Sequence, residues 1–215
     1  MGDLSQVVYA VGRHSATGVR LLGTAFAVSA TKVATALHVA GADDRDLVLI
    51  KPRISNLSDY QDTSDASVDM IRLTMSAADP VRDLCVLDLQ DARIRMSYVL
   101  GSTDDVSVGA PVATLGFPHA PTGRFVLTQH QVHVGARILI ENRGQKTKHL
   151  VLNTQAREGQ SGGPVVDQLA GSVVGVVLGS YAPGGGGGIS LGGIDPQTLH
   201  QTTHAISAEY LRSML

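Results

Sequence analysis

The stretch Glu158-Gly159-Gln160-Ser161-Gly162-Gly163-Pro164 sets one serine among glycines, and the residues immediately after it decide the fold. Gly163-Pro164 leads directly into Val165-Val166, so the turn feeds a strand and not a helix. Gly-x-Ser-x-Gly also satisfies the elbow of the strand–elbow–helix hydrolases, whose triad runs serine, acid, histidine. Asp195 with His200 or His204 meets that order formally, but the chain shows almost no helical alternation, which speaks against it. A serine with little steric cover presents its hydroxyl at a surface. Gly159 lets the backbone turn so that its own N–H and that of Ser161 converge, and two convergent donors stabilise an oxyanion by several kcal/mol. Serine alone is a poor nucleophile and needs a base. The bland alternative is a Gly-Ser turn between two strands.

Outward from that turn the chain consists of short runs rich in Val, Ile, Leu and Thr, cut by Gly, Pro, Asp and Ser. Expected strands in the first half are 6–11, 19–22, 24–29, 32–36, 47–51, 70–75 and 84–89. In the second half they are 111–116, 123–133, 136–141, 149–153, 163–167 and 172–178. Strands of this length and number predict an all-β barrel or sandwich. Only the end reads as a helix, with Ser207 as cap and Tyr210, Leu211, Met214 and Leu215 at helical spacing. A polar break at Gly101-Ser102-Thr103-Asp104-Asp105 divides the chain into halves 1–100 and 101–215.

Two further segments carry chemistry. Val33-Ala34-Thr35-Ala36-Leu37-His38-Val39-Ala40 closes an apolar strand on one histidine, the most apolar setting among eight. A lone histidine there is ordinarily a satisfied core residue. Asp83 stands before Leu84-Cys85-Val86-Leu87, and a carboxylate entering such a strand is surface-facing or partnered. Orienting a histidine is a suitable use for it. Asp79 and Asp88 compete for that role, the first before a proline in a loop, the second late in the strand.

His38, Asp83 and Ser161 follow at separations of 83 − 38 = 45 and 161 − 83 = 78 residues. In this order, with Gly23-Thr24-Ala25-Phe26, Gly116-Phe117-Pro118 and the closing His204-Ala205-Ile206-Ser207, the chain resembles the trypsin-like serine peptidases over its whole length. The likeness is to their cysteine-poor bacterial, HtrA-like branch without a PDZ domain. The resemblance implies two six-stranded antiparallel barrels, a C-terminal helix and an active site between them. The first barrel, 1–100, would carry His38 as base and Asp83 as its orienting carboxylate. The second, 101–215, would carry Ser161 as nucleophile, with the Gly159 and Ser161 N–H groups as oxyanion hole. It also implies a substrate-binding surface from Gln155, Ala156, Gln160, Val177, Leu178, Gly179 and His204. No carboxylate lies at the expected base of the primary pocket, so a small or apolar P1 residue is expected, with His204 as the argument for an acidic one. The implied activity is endopeptidase, the partner a polypeptide substrate. A trypsin-fold interaction module, silent or controlled by a regulatory protein partner, is the alternative.

Composition narrows the rest. Lys+Arg 17 against Asp+Glu 19 gives a formal net charge of −2, so no nucleic-acid footprint is expected. The hydrophobic share of 43% with 17% charged residues is globular, and a single cysteine, Cys85, excludes an internal disulfide. No run approaches the roughly 18 apolar residues of a membrane span. The N-terminus lacks the basic and apolar regions of a signal peptide, so a cytoplasmic protein is expected. Asp59, Asp62, Asp65 and Asp69 lack the turn glycine and closing glutamate of a calcium loop and read as a solvated surface. Gly184–Gly188 lacks the lysine of a phosphate loop and reads as a flexible connection. Neither cofactor nor metal is expected.

Overall fold

A continuous buried run carries the chain out along Val8–Ser15 (β1), round a tight turn and back along Gly18–Ala27 (β2). Lys32–Ala36 (β3), Leu47–Ile50 (β4), Met70–Asp79 (β5) and Leu84–Leu89 (β6) complete a closed barrel in the order β1-β2-β3-β6-β5-β4. Pro111–Gly116 (β7), Thr128–Asn142 (β8), Gln145–Leu152 (β9), Pro164–Asp167 (β10), Val173–Tyr181 (β11) and Thr202–Ser207 (β12) close a second, in the order β10-β11-β12-β9-β8-β7. Read round the ring, the two orders are the same. Every pairing between these strands is antiparallel. This computed structural model describes residues 4–65, 67–181 and 202–215. Gly184–Gly188, Asp195 and His200 lie outside the described residues.

One apolar cluster fills the first barrel and runs on into the outer face of the second through Leu115, Phe117, Val166, Val176 and Ile206. A separate cluster of Val112, Val134, Leu150, Leu152, Val165 and Val177 fills the second barrel. Val176 and Val177 therefore serve different cores from one strand, which is why β11 is apolar without alternation. Fully burying a side chain such as Phe117 contributes about 2–3 kcal/mol.

Three bulges explain where strand boundaries depart from expectation. The runs 19–22 and 24–29 belong to one strand, because Leu22 is the extra residue where Val11 pairs Gly23 and Gly12 pairs Leu21. The runs 123–133 and 136–141 are replaced by β8, which continues through an extra Gly135 between the Val134–Leu152 and Ala136–Val151 pairs. The third lies at Leu178, skipped between the Val177–Ala205 and Gly179–His204 pairs. The sequence marks β12 poorly, since Thr202-Thr203-His204 lacks an apolar alternation.

Helical expectations need two corrections. The last segment is a 3₁₀ helix, Ala208–Met214, and Ser207 makes no side-chain cap to it. The Ser207 hydroxyl instead accepts the Thr103 N–H at 3.1 Å, tying the chain end to the start of the second barrel. His38, expected at a strand end, sits in a single helical turn, Leu37–Ala40 (α1), that Gly41 ends at φ 83°.

Candidate active site

The pairing of β3 with β6 sets Ala36 opposite Leu84, so the residues just beyond, Leu37-His38 and Asp83, face each other. The Leu37 N–H donates to the Asp83 carbonyl at 3.0 Å. One carboxylate oxygen of Asp83 accepts the His38 backbone N–H at 2.9 Å, a donor the first turn of α1 leaves unused. The other lies 2.5 Å from His38 Nδ1. This two-point grip places the ring proton on Nδ1 and leaves Nε2 as the free lone pair. Asp83 holds φ 55°, a left-handed backbone that aspartate tolerates better than most residues. The two competing carboxylates are engaged elsewhere: Asp79 with Arg82 at 2.6 Å, Asp88 with Lys32 at 2.8 Å.

Cys85, two residues beyond Asp83, is fully buried, and burial pushes its thiol up to about 12. It is a core side chain.

The serine turn is pinned at four successive carbonyls. Glu158 O accepts from His119 N–H at 2.7 Å, and Gly159 O from the Thr24 hydroxyl at 2.7 Å. Gln160 O accepts from Gly163 N–H at 3.1 Å, and Ser161 O from Thr24 N–H at 2.9 Å. Peptide planarity sets each N–H opposite its carbonyl, so the Gly159 N–H points away from the His119 side. Among the described residues neither the Gly159 nor the Ser161 N–H has a protein acceptor. Gly159 holds φ 94°, and a Cβ there would lie 2.3 Å from Phe117 O, so only glycine fits. A Cβ on Gly162 would lie 2.1 Å from Thr24 O and 2.2 Å from Thr35 Oγ1, which sets the serine turn directly against the strand that leads to His38.

The Ser161 hydroxyl donates to Leu178 O at 3.0 Å. The Leu178 bulge aims that carbonyl at the serine. Gly179 borders it as well, with a would-be Cβ 3.8 Å from Ser161 Oγ. Beside the serine turn, a narrow cavity is bounded by Thr154, Gln155, Ala156, Gln160, Val177 and Thr203. Gln160 is buried there and its side-chain oxygen accepts the Arg157 N–H at 2.6 Å. Thr203, 1% exposed, donates its hydroxyl to Thr154 O and accepts the Ala156 N–H, at 2.8 and 2.7 Å, and so braces the cavity wall. Of the residues expected to bind substrate, His204 does not line this cavity. Alternation along β12 turns it to the opposite face, towards His149. There burial lowers its pKa.

Thr24 and His119 carry parts of the site that their residue types alone do not announce. A faint signal existed for the first: Thr24 is a polar residue inside the buried run Gly23-Thr24-Ala25-Phe26.

Residues 23–176 match the family model described as a trypsin-like peptidase domain. No curated protein sequence matches the chain. Among solved structures, the protease domain of MamO from Magnetospirillum magneticum is similar at TM-score 0.70 and 15% identity, over 99% of this chain and 97% of that one. The active form of the Rv3671c protease from M. tuberculosis reaches 0.68 at 19% identity, over 99% and 80%. The HtrA-type protease AlgW, solved with a decapeptide, reaches 0.69 at 17% identity, over 99% of this chain and 64% of that one. At these identities the structural likeness speaks for the fold.

Proposed function

The chain belongs to the trypsin-like peptidase family and is a serine protease by class, and from that premise we propose an endopeptidase working through His38, Asp83 and Ser161. The observation that carries the reading is the grip of Asp83 on both the backbone and the ring of His38. With Nδ1 committed to Asp83, Nε2 accepts the Ser161 hydroxyl proton as Oγ attacks the scissile carbonyl carbon. Because that hydroxyl rests on Leu178 O, the step begins with the hydroxyl turning from that carbonyl to Nε2. The new C–O bond leaves a negative oxygen for the Gly159 and Ser161 N–H groups. Collapse breaks the C–N bond, and His38 returns the proton to the leaving amine. Water then repeats the sequence on the acyl ester and frees Ser161.

The narrow cavity beside the serine turn supports a small or apolar P1 side chain. Leu115, Ala156 and Val177 line it together with His130, and no carboxylate is among its walls. The polypeptide would lie along Leu178 and Gly179. The competing interaction-module reading is separated by labelling. Wild-type protein is expected to react with a fluorophosphonate at Ser161 and to cut a peptide library, while Ser161→Ala does neither and keeps its melting temperature. Folded wild-type protein that takes no label overturns the peptidase reading.

A further inference from the structure

We infer that Thr24, on the barrel opposite the nucleophile, is a positioning residue that holds the oxyanion-binding N–H groups in line. The inference rests on the peptidase reading and adds a residue to it. Thr24 is fully buried and every polar atom it has serves the site. Its hydroxyl donates to Gly159 O at 2.7 Å and accepts the Phe117 N–H at 3.1 Å, so the direction of its proton is settled. Its N–H holds Ser161 O, and its carbonyl accepts the Thr35 hydroxyl at 2.6 Å.

The physical need for this anchor comes from Gly159. Contact with Phe117 O excludes a side chain there, and the same missing Cβ leaves the backbone free to rotate. Rotation that turned the Glu158 carbonyl into the cleft would carry the Gly159 N–H out of it. Two hydrogen bonds oppose that motion: His119 N–H on Glu158 O, and the Thr24 hydroxyl on Gly159 O. Thr24 acts on both, since Phe117, which it also holds, begins the turn that presents His119. Removing the hydroxyl strands a buried carbonyl and a buried N–H together, and the turn relaxes to find them partners.

Thr24→Val keeps the shape and removes the hydroxyl, while Thr24→Ser restores it without the methyl. The expected result is a kcat lowered about 10- to 100-fold in Thr24→Val, a fraction of the loss for deleting an oxyanion donor, with KM within about twofold. Affinity for a peptide aldehyde, which places an oxyanion in the hole, should fall in step with kcat/KM, while affinity for a product peptide stays. Thr24→Ser should recover kcat to within about threefold of wild type. A Thr24→Val enzyme with wild-type kcat, or a Thr24→Ser enzyme as slow as Thr24→Val, overturns the inference. Should Thr24→Val fail to fold, Thr24→Cys replaces it. Its weaker donor should give a kcat clearly below that of Thr24→Ser, and equality overturns the proposal. Wild-type protein without turnover or Ser161 labelling instead removes the peptidase reading itself.

Discussion

Asp83 does three things at one position: its backbone turns at φ 55°, and its carboxylate caps the N–H of His38 and holds the ring. Asparagine has the same size and adopts the left-handed region readily, so Asp83→Asn should fold normally. Its amide would donate to Nδ1 and select the wrong tautomer. We expect kcat on a cleaved peptide to fall about 10⁴-fold with unchanged circular dichroism, and a loss under about tenfold would show that Asp83 does not orient the base. Gly162 is the complementary case, a residue required for what it lacks. Gly162→Ala at φ 84° meets the Thr24 carbonyl and should cost about 3 kcal/mol or more in urea denaturation. Both residues were legible in the sequence because their context is local: an aspartate opening an apolar strand, a glycine after a serine. Thr24 was not, since its partners are Phe117 and Gly159, far along the chain.

The elements that frame the site reach it from both barrels. The loop before β6 is held by the β8–β9 hairpin, where Asn142 donates to Val81 O at 2.9 Å, and by the C-terminal 3₁₀ helix, where Tyr210 lies under the Arg82 guanidinium at 4.5 Å. The Tyr210 hydroxyl also accepts the Lys148 N–H at 2.9 Å, fastening β9 to the same point. Tyr210→Leu keeps the apolar contact and loses the cation–π attraction together with the acceptor of the Lys148 N–H. It should lower stability by about 1 kcal/mol, read as a melting temperature about 3 °C lower. No change would mean that the stacking and the hydroxyl together contribute nothing net. The sequence indicated a C-terminal helix through Tyr210 and Leu211, but not its 3₁₀ geometry or its contact with the Asp83 loop. Bulges were the other blind spot at this scale. A bulge adds a residue without changing composition, so Leu22 reads as a strand end and Gly135 as a gap between strands, and Leu178 gave no sign that its carbonyl would meet Ser161.

At the scale of the molecule, two barrels with the same strand order meet across one apolar cluster, and their stability has a pH signature set by a buried histidine. His149 is 5% exposed, its Nδ1 has no partner among the described residues, and burial together with the nearby His204 lowers its pKa from 6.5 to about 4. The unfolded chain takes up a proton near pH 6.5 while the folded one resists until about 4, so stability is full above pH 6.5 and falls as pH drops. About 3 kcal/mol should be lost across that window, before the carboxylate pairs such as Asp104 with Lys148 begin to titrate. Urea denaturation at pH 7 and 4.5 should show the drop, and His149→Gln should flatten it; a variant as pH-sensitive as wild type places the effect elsewhere. By itself the sequence determined the all-β class and the order His38, Asp83, Ser161, because short apolar runs, glycine turns and a serine among glycines are short-range properties. Tertiary structure alone decided that Thr203 and not His204 lines the cavity, that the Ser161 hydroxyl rests on Leu178, and that Thr24 braces the opposite barrel. Those outcomes depend on register and on how the barrels close, and both are set by contacts between residues distant in the chain.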